Sequence, residues 1–481
     1  MGAPPSEHAD NLGIDPNKSY KKPFTTITLL FFLWGFITVM NDVLIPYLKE
    51  GFSLSYFQAG LIQFAFFGAF SIVSLIYFFV SASRGDPINK LGYKNSIMVG
   101  LAICGIGCCM FYPAAQTKMY IFFLGALFVL ATGVTILQIA ANPYAAILGK
   151  PANASSRLNL AQGVNSLGTT LAPIAGGLLL YKVFSDGTVT VDSVKLPYLV
   201  YGSMFLLLAL VVWKSHIPAF TSAEKIEKGA GALRFRHLKL GMVAIFCYVG
   251  AEVAIGSYLI SFMGAENVLG LEESVGSLFL AYYWGGAMIG RLMGAVSLSD
   301  MASQSKKYLY MGIIAVSVFM VIYVVTAVRL DGGNFSMDFK PFGEVAPFLL
   351  MIALNFVAFT MGKSRAERSL GIFSISIIVL LLIASFGGGH IAFWAAIGTG
   401  LFNSIMWSNI FTLAIKDLGK YTSQGSSLLV MMIVGGALVP LVMGAAADNL
   451  DIQKSFLIPI ICYFYLAFYG FSGYKVVKSG S

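Results

Sequence analysis

The sequence predicts an all-α polytopic membrane protein, a bundle of helices that cross the bilayer. Of the 481 residues, 57% are hydrophobic and only 11% are charged, whereas a soluble domain carries about 25% charged residues. Apolar runs of about 18 residues or more, each long enough to span a bilayer as a helix, recur from Phe24 almost to the C-terminus. These runs lack the strict alternation of barrel strands. A helix also pairs its backbone amides internally, as lipid requires.

The composition excludes a soluble enzyme, a disulfide scaffold and a disordered chain. Residues 1–23 are polar, so we expect a tail without a secretory signal peptide. The formal net charge of +9 is attributed to membrane topology, and we expect no nucleic-acid partner. The five cysteines lie in apolar runs, where a thiol behaves as a small hydrophobic group, and their spacing does not suit a zinc site. They are Cys104, Cys108, Cys109, Cys247 and Cys462.

Fourteen transmembrane helices are expected, in two halves joined by a linker. The N-terminal half, residues 24–217, is expected to hold six helices, near 24–48, 54–81, 95–113, 119–147, 158–184 and 196–217. The C-terminal half, residues 238–475, is expected to hold eight, near 238–264, 272–297, 307–328, 345–361, 369–387, 390–414, 423–446 and 453–475. Residues 218–237 form the expected cytoplasmic linker, and residues 1–23 and 476–481 the expected cytoplasmic tails.

Basic residues determine the predicted orientation. With a cytoplasmic N-terminus, 24 of the 31 Lys and Arg residues fall on the cytoplasmic side and 7 on the other, as the positive-inside rule requires. The largest cluster lies on the linker, between Lys214 and Lys239. We therefore expect a multi-pass protein of the plasma (cell inner) membrane with both termini in the cytoplasm.

The two halves show an internal repeat, which is typical of secondary transporters. Residues 168–177 resemble residues 435–444, and Asn142 and Asn409 are separated by the same offset. The first helices of the halves have a smaller offset, since they begin near 24 and 238. The second half therefore has an insertion as long as a helical hairpin, expected at about residues 329–385. A chance alignment of Gly and Pro, which are frequent in membrane helices, is the alternative.

Two carboxylates lie at predicted membrane depth, Asp42 late in the first span and Glu252 in the seventh. An ionisable side chain there costs at least about 2.5–3.5 kcal/mol, which makes it a functional candidate. No Lys or Arg is predicted at their depth. Each carboxylate is therefore expected to take up a proton or to bind a cation such as Na⁺. The alternative is a residue at the membrane surface that reaches water.

Side-chain amides follow one face of the fourth and fifth predicted helices. Gln138 and Asn142 are four residues apart, while Asn159, Gln162 and Asn165 recur every three residues, so each set shares a face. Amides both donate and accept hydrogen bonds without net charge, which suits the vicinal hydroxyls of a sugar. The alternative is hydrogen bonding between helices, which is common in membrane bundles.

Aromatic residues supply possible stacking surfaces for a sugar ring. They make up 14% of the chain, and most must face lipid or the protein core. Tyr282, Tyr283, Trp284 and Trp407 lie inside predicted spans beside polar residues. An interfacial belt would instead place Trp and Tyr at the ends of the spans.

Several motifs resemble one known family. They are NDVLIP at 41–46, FQAGLIQ at 57–63, AANP at 140–143, RLNLAQ at 157–162, CYVGA at 247–251, IFTLAIKDLG at 410–419 and GSS at 425–427. The chain is therefore similar to the fucose:proton symporter family, the fucose and glucose/galactose permeases of the major facilitator superfamily. The resemblance implies the major facilitator fold, with two six-helix halves plus the inserted hairpin. It also implies alternating access, a monosaccharide substrate and cation coupling.

The expected site combines the two carboxylates with a set of sugar ligands. Asp42 and Glu252 are the coupling-ion candidates. The expected substrate-binding residues are Asn41, Gln63, Gln138, Asn142, Asn159, Gln162, Asn165, Tyr283, Asn403, Trp407 and Asn409. The fucose permease has Glu in place of Gln138 and Gln in place of Glu252. This departure favours a glucose- or galactose-like hexose, with fucose or an amino sugar as alternatives.

The function predicted from these features is symport of a hexose with H⁺ or Na⁺, without a cofactor. An uncoupled facilitator and a drug/proton antiporter are alternatives on the same fold, although a drug carrier would need a roomier apolar cavity. An intramembrane enzyme would need a nucleophile or metal-ligand constellation, and the sequence has none. A sugar sensor fits the motifs, but no signalling domain is attached. The expected partners are the monosaccharide and the lipid bilayer, and a functional monomer is expected.

Overall fold

The computed structural model describes residues 20–53, 56–178, 191–218, 229–271, 273–331 and 334–476, and these are almost entirely helical. Among them, twelve helices are long and apolar enough to cross a membrane, which confirms a polytopic helix bundle. The fourteen crossings expected from the sequence are not confirmed. Two further helices of 25 residues, Ala154–Leu178 and Glu273–Ser297, are not among the twelve, and both carry polar side chains in their middle turns.

In its described residues, the N-terminal half contains six long helices. They are α1 (Lys21–Gly51), α2 (Tyr56–Arg84), α3 (Tyr93–Cys109, continued by Phe111–Thr117), α4 (Tyr120–Ile147), α5 (Ala154–Leu178) and α6 (Lys195–Lys214). The short helix Pro87–Leu91 and the 3₁₀ turns Pro151–Asn153 and Val191–Val194 lie in the connections.

The C-terminal half follows the same order, with additional helices in its middle. Its long helices are α7 (Arg236–Gly264), α8 (Glu273–Ser297), α9 (Gln304–Ala327), α10 (Phe342–Gly362), α11 (Ala366–Phe386), α12 (Gly389–Asn403, continued by Met406–Ala414), α13 (Thr422–Met431, continued by Gly435–Asn449) and α14 (Ile458–Phe468). Short helical turns at Gly231–Arg234, Gly419–Tyr421, Met432–Val434, Ile452–Ser455 and Tyr469–Gly473 complete it.

A short β-hairpin connects α9 and α10. Its strands β1 (Val328–Asp331) and β2 (Asn334–Met337) pair antiparallel, with Val328 opposite Met337. The sequence predicted no strand here, because four residues are too few to show a recognisable alternation.

The internal repeat predicted from the sequence is visible as a repeated helix contact. A Cβ atom on Gly168 of α5 would overlap the carbonyl oxygen of Phe32 on α1. In the second half, a Cβ atom on Gly435 of α13 would overlap the carbonyl oxygen of Phe246 on α7. The two glycines have the larger offset found in the sequence, and the two phenylalanines have the smaller one. Small residues allow such close backbone approach in membrane bundles, so α1–α5 and α7–α13 are equivalent pairs.

The basic connections lie together at one end of the bundle. This end, called the linker end below, holds the connections α2–α3, α4–α5, α6–α7, α8–α9, α10–α11 and α12–α13. Asn89 Nδ2 donates a hydrogen bond to the Lys420 carbonyl oxygen at 2.8 Å, and Lys307 Nζ donates to Ser364 Oγ at 2.9 Å. The connections α2–α3 and α12–α13 are thus neighbours in space, as are the start of α9 and the connection α10–α11.

The two halves are joined at the linker end. The hydroxyl oxygens of Ser155 on α5 and Thr412 on α12 lie 2.6 Å apart. An exposed ion pair links Lys150 Nζ and Asp300 Oδ2 at 3.6 Å. A hydrogen bond from Asn153 and the charge of Lys150 hold the pKa of Asp300 below its usual range. The structure is therefore closed at the linker end.

Candidate functional site

Polar side chains from both halves meet in the middle of the bundle, along one face of α5. We call them the central cluster. Its members are Gln138, Asn142, Asn159, Gln162, Ser166, Tyr248, Glu252, Tyr283, Arg291, Asn403, Asn409 and Tyr463. Asn159, Gln162 and Ser166 follow one another at spacings of three and four residues, which places them on one helix face. Each of the three begins a different hydrogen-bonded group.

The first group consists of the amides predicted on α4 and α5. Gln162 Nε2 donates to Asn142 Oδ1 at 3.4 Å, and Asn142 Nδ2 donates to the Gln138 backbone carbonyl at 3.0 Å. Among the described residues, no side chain hydrogen-bonds with the amide of Gln138, although Gln138 is only 3% exposed. The structure thus brings the predicted amides together and leaves hydrogen-bonding capacity free on Gln138.

The second group crosses between the halves. Asn159 Nδ2 on α5 donates to Asn409 Oδ1 on α12 at 3.3 Å and to the Ser155 carbonyl at 2.9 Å. Asn409 Nδ2 in turn donates to the Ala366 carbonyl at 3.1 Å. Asn159 Oδ1 is buried and has no partner among the described residues. This group is therefore both a contact between the halves and a site with one unused acceptor.

The third group contains Glu252, and here one prediction was wrong. The sequence predicted no Lys or Arg at the depth of this carboxylate, but Arg291 Nη2 lies 3.6 Å from Glu252 Oε1, with side chains 14% and 10% exposed. Arg291 Nη1 also donates to Ser166 Oγ at 2.5 Å, and Arg291 Nε to the Ser404 carbonyl at 3.3 Å. Glu252 is therefore half of an ion pair.

A chain of hydrogen bonds continues from Glu252 through the C-terminal half. Tyr283 OH donates to the Glu252 backbone carbonyl at 2.9 Å. Asn403 Nδ2 donates to Tyr283 OH at 3.1 Å, and Tyr463 OH donates to Asn403 Oδ1 at 2.7 Å. Tyr283 and Asn403 are thus used in bonds within the protein, which favours a structural role for these two predicted sugar ligands.

The remaining predicted side chains have mixed surroundings. Asn165 Nδ2 donates to the Phe31 carbonyl at 2.9 Å, which ties α5 to α1. Trp407 is buried and packs on Phe411 with ring centroids 5.9 Å apart. Its Nε1 has no hydrogen-bond partner among the described residues. Trp284 is 40% exposed, so its face is available to lipid or to a cavity.

Three predicted site residues lie where side chains are outside the described part of the structure. Asn41 and Asp42 belong to the second half of α1, and Gln63 belongs to α2. In the described residues, no group of three or more His, Cys, Asp or Glu side chains could hold a metal ion.

Sequence reasoning missed Arg291, Ser166, Tyr248 and Tyr463. Arg291 lies six residues before the end of α8, about 9 Å along a helix axis, so the uncertain end of the predicted span concealed its depth. Ser166 follows Gln162 by four residues and could have been added to the amide face. The tyrosines carried no signal in a chain with 23 of them.

Comparison with known proteins places this geometry in context. The sequence profile described as Major Facilitator Superfamily matches residues 27–362. The chain is 43% identical over 463 residues to the glucose/galactose transporter of Brucella abortus biovar 1 (strain 9-941), with 95% of each chain covered. It is 31% identical over 473 residues to the L-fucose-proton symporter of Escherichia coli (strain K12), with 93% and 92% covered. It superimposes with a TM-score of 0.72 on the crystal structure of the transporter FucP in the outward conformation, at 29% identity, covering 94% of this chain and 99% of that one.

Proposed function

Since the chain belongs to the major facilitator superfamily, as its motifs predicted, we propose that it is a secondary active transporter that carries a hexose together with H⁺ or Na⁺. The relatives are a glucose/galactose transporter and a fucose-proton symporter. Two equivalent halves that share a polar cluster and close at one end suit alternating access. The closed linker end agrees with the likeness to a structure in the outward conformation.

One observation supports a sugar as the substrate more than any other. Asn159 Oδ1 and Trp407 Nε1 are buried without partners among the described residues, and the amide of Gln138 has none there either. An unpaired buried polar group costs about 1–3 kcal/mol. Sugar hydroxyls can both donate to Asn159 and Gln138 and accept from Trp407. An apolar drug would leave the same atoms unpaired, which argues against a drug antiporter.

The proposed roles divide the site between sugar and cation. Gln138, Asn142, Asn159 and Gln162 bind hydroxyls, and Trp407 offers its ring and its N–H group. Asn41, Gln63, Asn165 and Asn409 complete the proposed substrate-binding set, whereas Tyr283 and Asn403 hold the C-terminal half together beside it. Asp42 and Glu252 are the two candidate carboxylates for the coupling cation, with Asp42 the proposed group and Glu252 the alternative, and no cofactor is needed. The transporter works as a monomer in the lipid bilayer.

We further propose that the polar helices α5 and α8 also cross the membrane, which makes fourteen crossings. The inserted hairpin is then α9 and α10 rather than residues 329–385. The helices α2 and α8 begin at Tyr56 and Glu273, whereas α3 and α11 begin at Tyr93 and Ala366. The start of α11 follows that of α3 by more residues than the start of α8 follows that of α2. The extra residues of the second half therefore lie between α8 and α11. The lysine and arginine residues at the linker end support the proposal that this end and both termini lie in the cytoplasm, with the protein in the cell inner membrane.

A counterflow assay tests this function. Purified protein in liposomes preloaded with unlabelled D-glucose or D-galactose should accumulate the labelled sugar transiently from outside, whereas L-glucose, the mirror-image control, should give none. Counterflow with no accumulation under any H⁺ or Na⁺ gradient would identify an uncoupled facilitator. No counterflow with any hexose tried, in protein that is folded by its thermal transition, would refute sugar transport.

A further inference from the structure

Arg291 is the cation that sequence reasoning did not place in the site. Its guanidinium lies 3.6 Å from the carboxylate of Glu252, donates to Ser166 Oγ at 2.5 Å and donates to the Ser404 carbonyl at 3.3 Å. Glu252 and Ser404 belong to the C-terminal half, whereas Ser166 belongs to the N-terminal half. One side chain therefore contacts an acid in its own half and a hydroxyl in the other.

The backbone around Arg291 holds the guanidinium in place. A Cβ atom on Gly290 would overlap the Ser404 hydroxyl, so α8 and α12 are in close contact at the preceding residue. This contact brings the Ser404 carbonyl within reach of Arg291 Nε. Because the guanidinium donates to a carbonyl on one side and to a hydroxyl on the other, it has little freedom to move away from Glu252.

The charge balance around Glu252 is simple. The titratable and charged groups that face it in the described structure are Arg291 and Tyr283 on α8, Tyr248 on α7 and Tyr463 on α14. The three tyrosines are neutral as phenols, which leaves one cation and one acid. Arginine cannot lose its proton in a protein. If Glu252 took up a proton, a guanidinium that is only 14% exposed would remain without a counter-ion, which is unfavourable.

We propose that Arg291 is a positioning residue of the transport cycle: it is the permanent counter-ion of Glu252 and the tie between the halves through Ser166. Glu252 then passes through the cycle as half of a neutral pair and does not bind the coupling cation. This inference rests on the proposed function and deepens it, because it leaves Asp42 as the coupling carboxylate. The bond to Ser166 forms in the state that is closed at the linker end and breaks when the halves reorient.

Charge-neutralising variants separate this role from simple packing. Arg291→Gln leaves Glu252 alone, so counterflow should become dependent on protonation, near parental at pH 5.5 and reduced about a hundredfold at pH 8.5. Glu252→Gln leaves the guanidinium alone, so counterflow should fall about a hundredfold at every pH. The double variant Glu252→Gln/Arg291→Gln removes both charges and should recover to within about threefold of the parent, with the parental pH profile.

Two further variants complete the design. Arg291→Lys keeps the charge and should keep the parental pH profile, although an ammonium group cannot make the two hydrogen bonds and the ion pair of the guanidinium together. Ser166→Ala removes the tie between the halves together with the hydroxyl's bond to the Gln162 carbonyl of the same helix, so it should slow counterflow by about 5- to 150-fold with no change of pH profile. A pH profile altered by Ser166→Ala but not by Arg291→Gln would contradict the assignment.

The decisive measurement is gradient-driven accumulation of sugar by the double variant Glu252→Gln/Arg291→Gln. If the pair is only a neutral unit, the double variant should still concentrate sugar against its gradient. If it shows counterflow but no accumulation, Glu252 is the coupling group and the proposal is wrong. If the parent transports no hexose, the proposed function is wrong, but the ion pair of Glu252 and Arg291 can still be tested by thermal unfolding in detergent. There the single variants should each melt lower than the double variant, and melting of Arg291→Gln should fall as pH rises; equal melting of all three would overturn the pair.

Discussion

At the scale of single residues, the buried amides carry the proposed chemistry. Replacing Gln138, Asn159 or Gln162 by Ala removes a hydrogen-bonding group that a sugar hydroxyl would otherwise meet in a partly dry site. Each substitution should weaken hexose binding by about 1–3 kcal/mol, or about 5- to 150-fold. The measurement is binding of the sugar to purified protein by isothermal calorimetry.

A matched control distinguishes sugar ligands from amides that only hold helices together. Asn355 on α10 is also a buried amide: its Nδ2 donates to the Leu401 carbonyl at 3.1 Å, and its Oδ1, like that of Asn159, has no partner among the described residues. It differs from Asn159 in lying away from the contact between the halves. Asn355→Ala should lower the melting temperature and leave the dissociation constant for the sugar unchanged. If Gln138→Ala, Asn159→Ala and Gln162→Ala behave like Asn355→Ala, the amides are bonds between helices and nothing more.

Residue types and helical spacing predicted the amide face of α4 and α5, but not what each amide touches. Spacing put Asn142 on a polar face of α4 and Gln162 on a polar face of α5, but the bond between them depends on how the two helices pack. The ion pair of Glu252 could not be predicted from spacing either. Its partner, Arg291, comes from the following helix of the chain, and only the packing of α7 against α8 brings the two together.

At the scale of helices, the repeated glycine contact should be sensitive to a single methyl group. Gly168→Ala forces α5 away from the Phe32 carbonyl on α1, and such overpacking costs about 1–3 kcal/mol. The expected result is a lower melting temperature and slower counterflow. Gly312 on α9 is the control, because a Cβ atom there meets nothing within 4 Å. Gly312→Ala should be neutral or slightly stabilising, since Ala favours a helix over Gly. Equal effects of the two substitutions would contradict the close contact of α1 and α5.

Helix positions were largely predictable because long apolar runs have few alternatives inside lipid. The predicted spans near 119–147 and 238–264 illustrate this, since the helices found there are Tyr120–Ile147 and Arg236–Gly264. The β-hairpin between α9 and α10 was not predictable, since its strands are short. Hydropathy alone also does not establish that α5 and α8 cross the membrane, because the polar residues that suit these helices to a binding site lower their mean hydropathy.

At the scale of the whole molecule, the side on which each connection lies can be tested directly. Arg368 at the start of α11 is exposed at the linker end, and Glu344 in the first turn of α10 is exposed at the opposite end. Arg368→Cys should react with an impermeant maleimide in inside-out vesicles only. Glu344→Cys should react in intact cells only, and the parent with its native cysteines serves as the blank. Labelling of both positions from one side would exclude a membrane crossing by α10.

In the proposed transport cycle, one carboxylate couples sugar movement to a cation gradient. A symporter must allow reorientation only when both ligands or neither are bound, and a carboxylate that cannot cross a low-dielectric state charged and alone meets this requirement. Asp42 on α1 is the proposed group. Asp42→Asn copies its neutral form, so the halves should reorient with sugar alone.

The most direct test measures counterflow and gradient-driven accumulation of the same labelled hexose in the same preparation of Asp42→Asn proteoliposomes, beside the parent. H⁺ and Na⁺ gradients are imposed separately, which also identifies the coupling ion. We expect the parent to accumulate sugar under one of the two gradients, while Asp42→Asn retains counterflow and accumulates none. If Asp42→Asn accumulates as much sugar as the parent, Asp42 is not the coupling carboxylate.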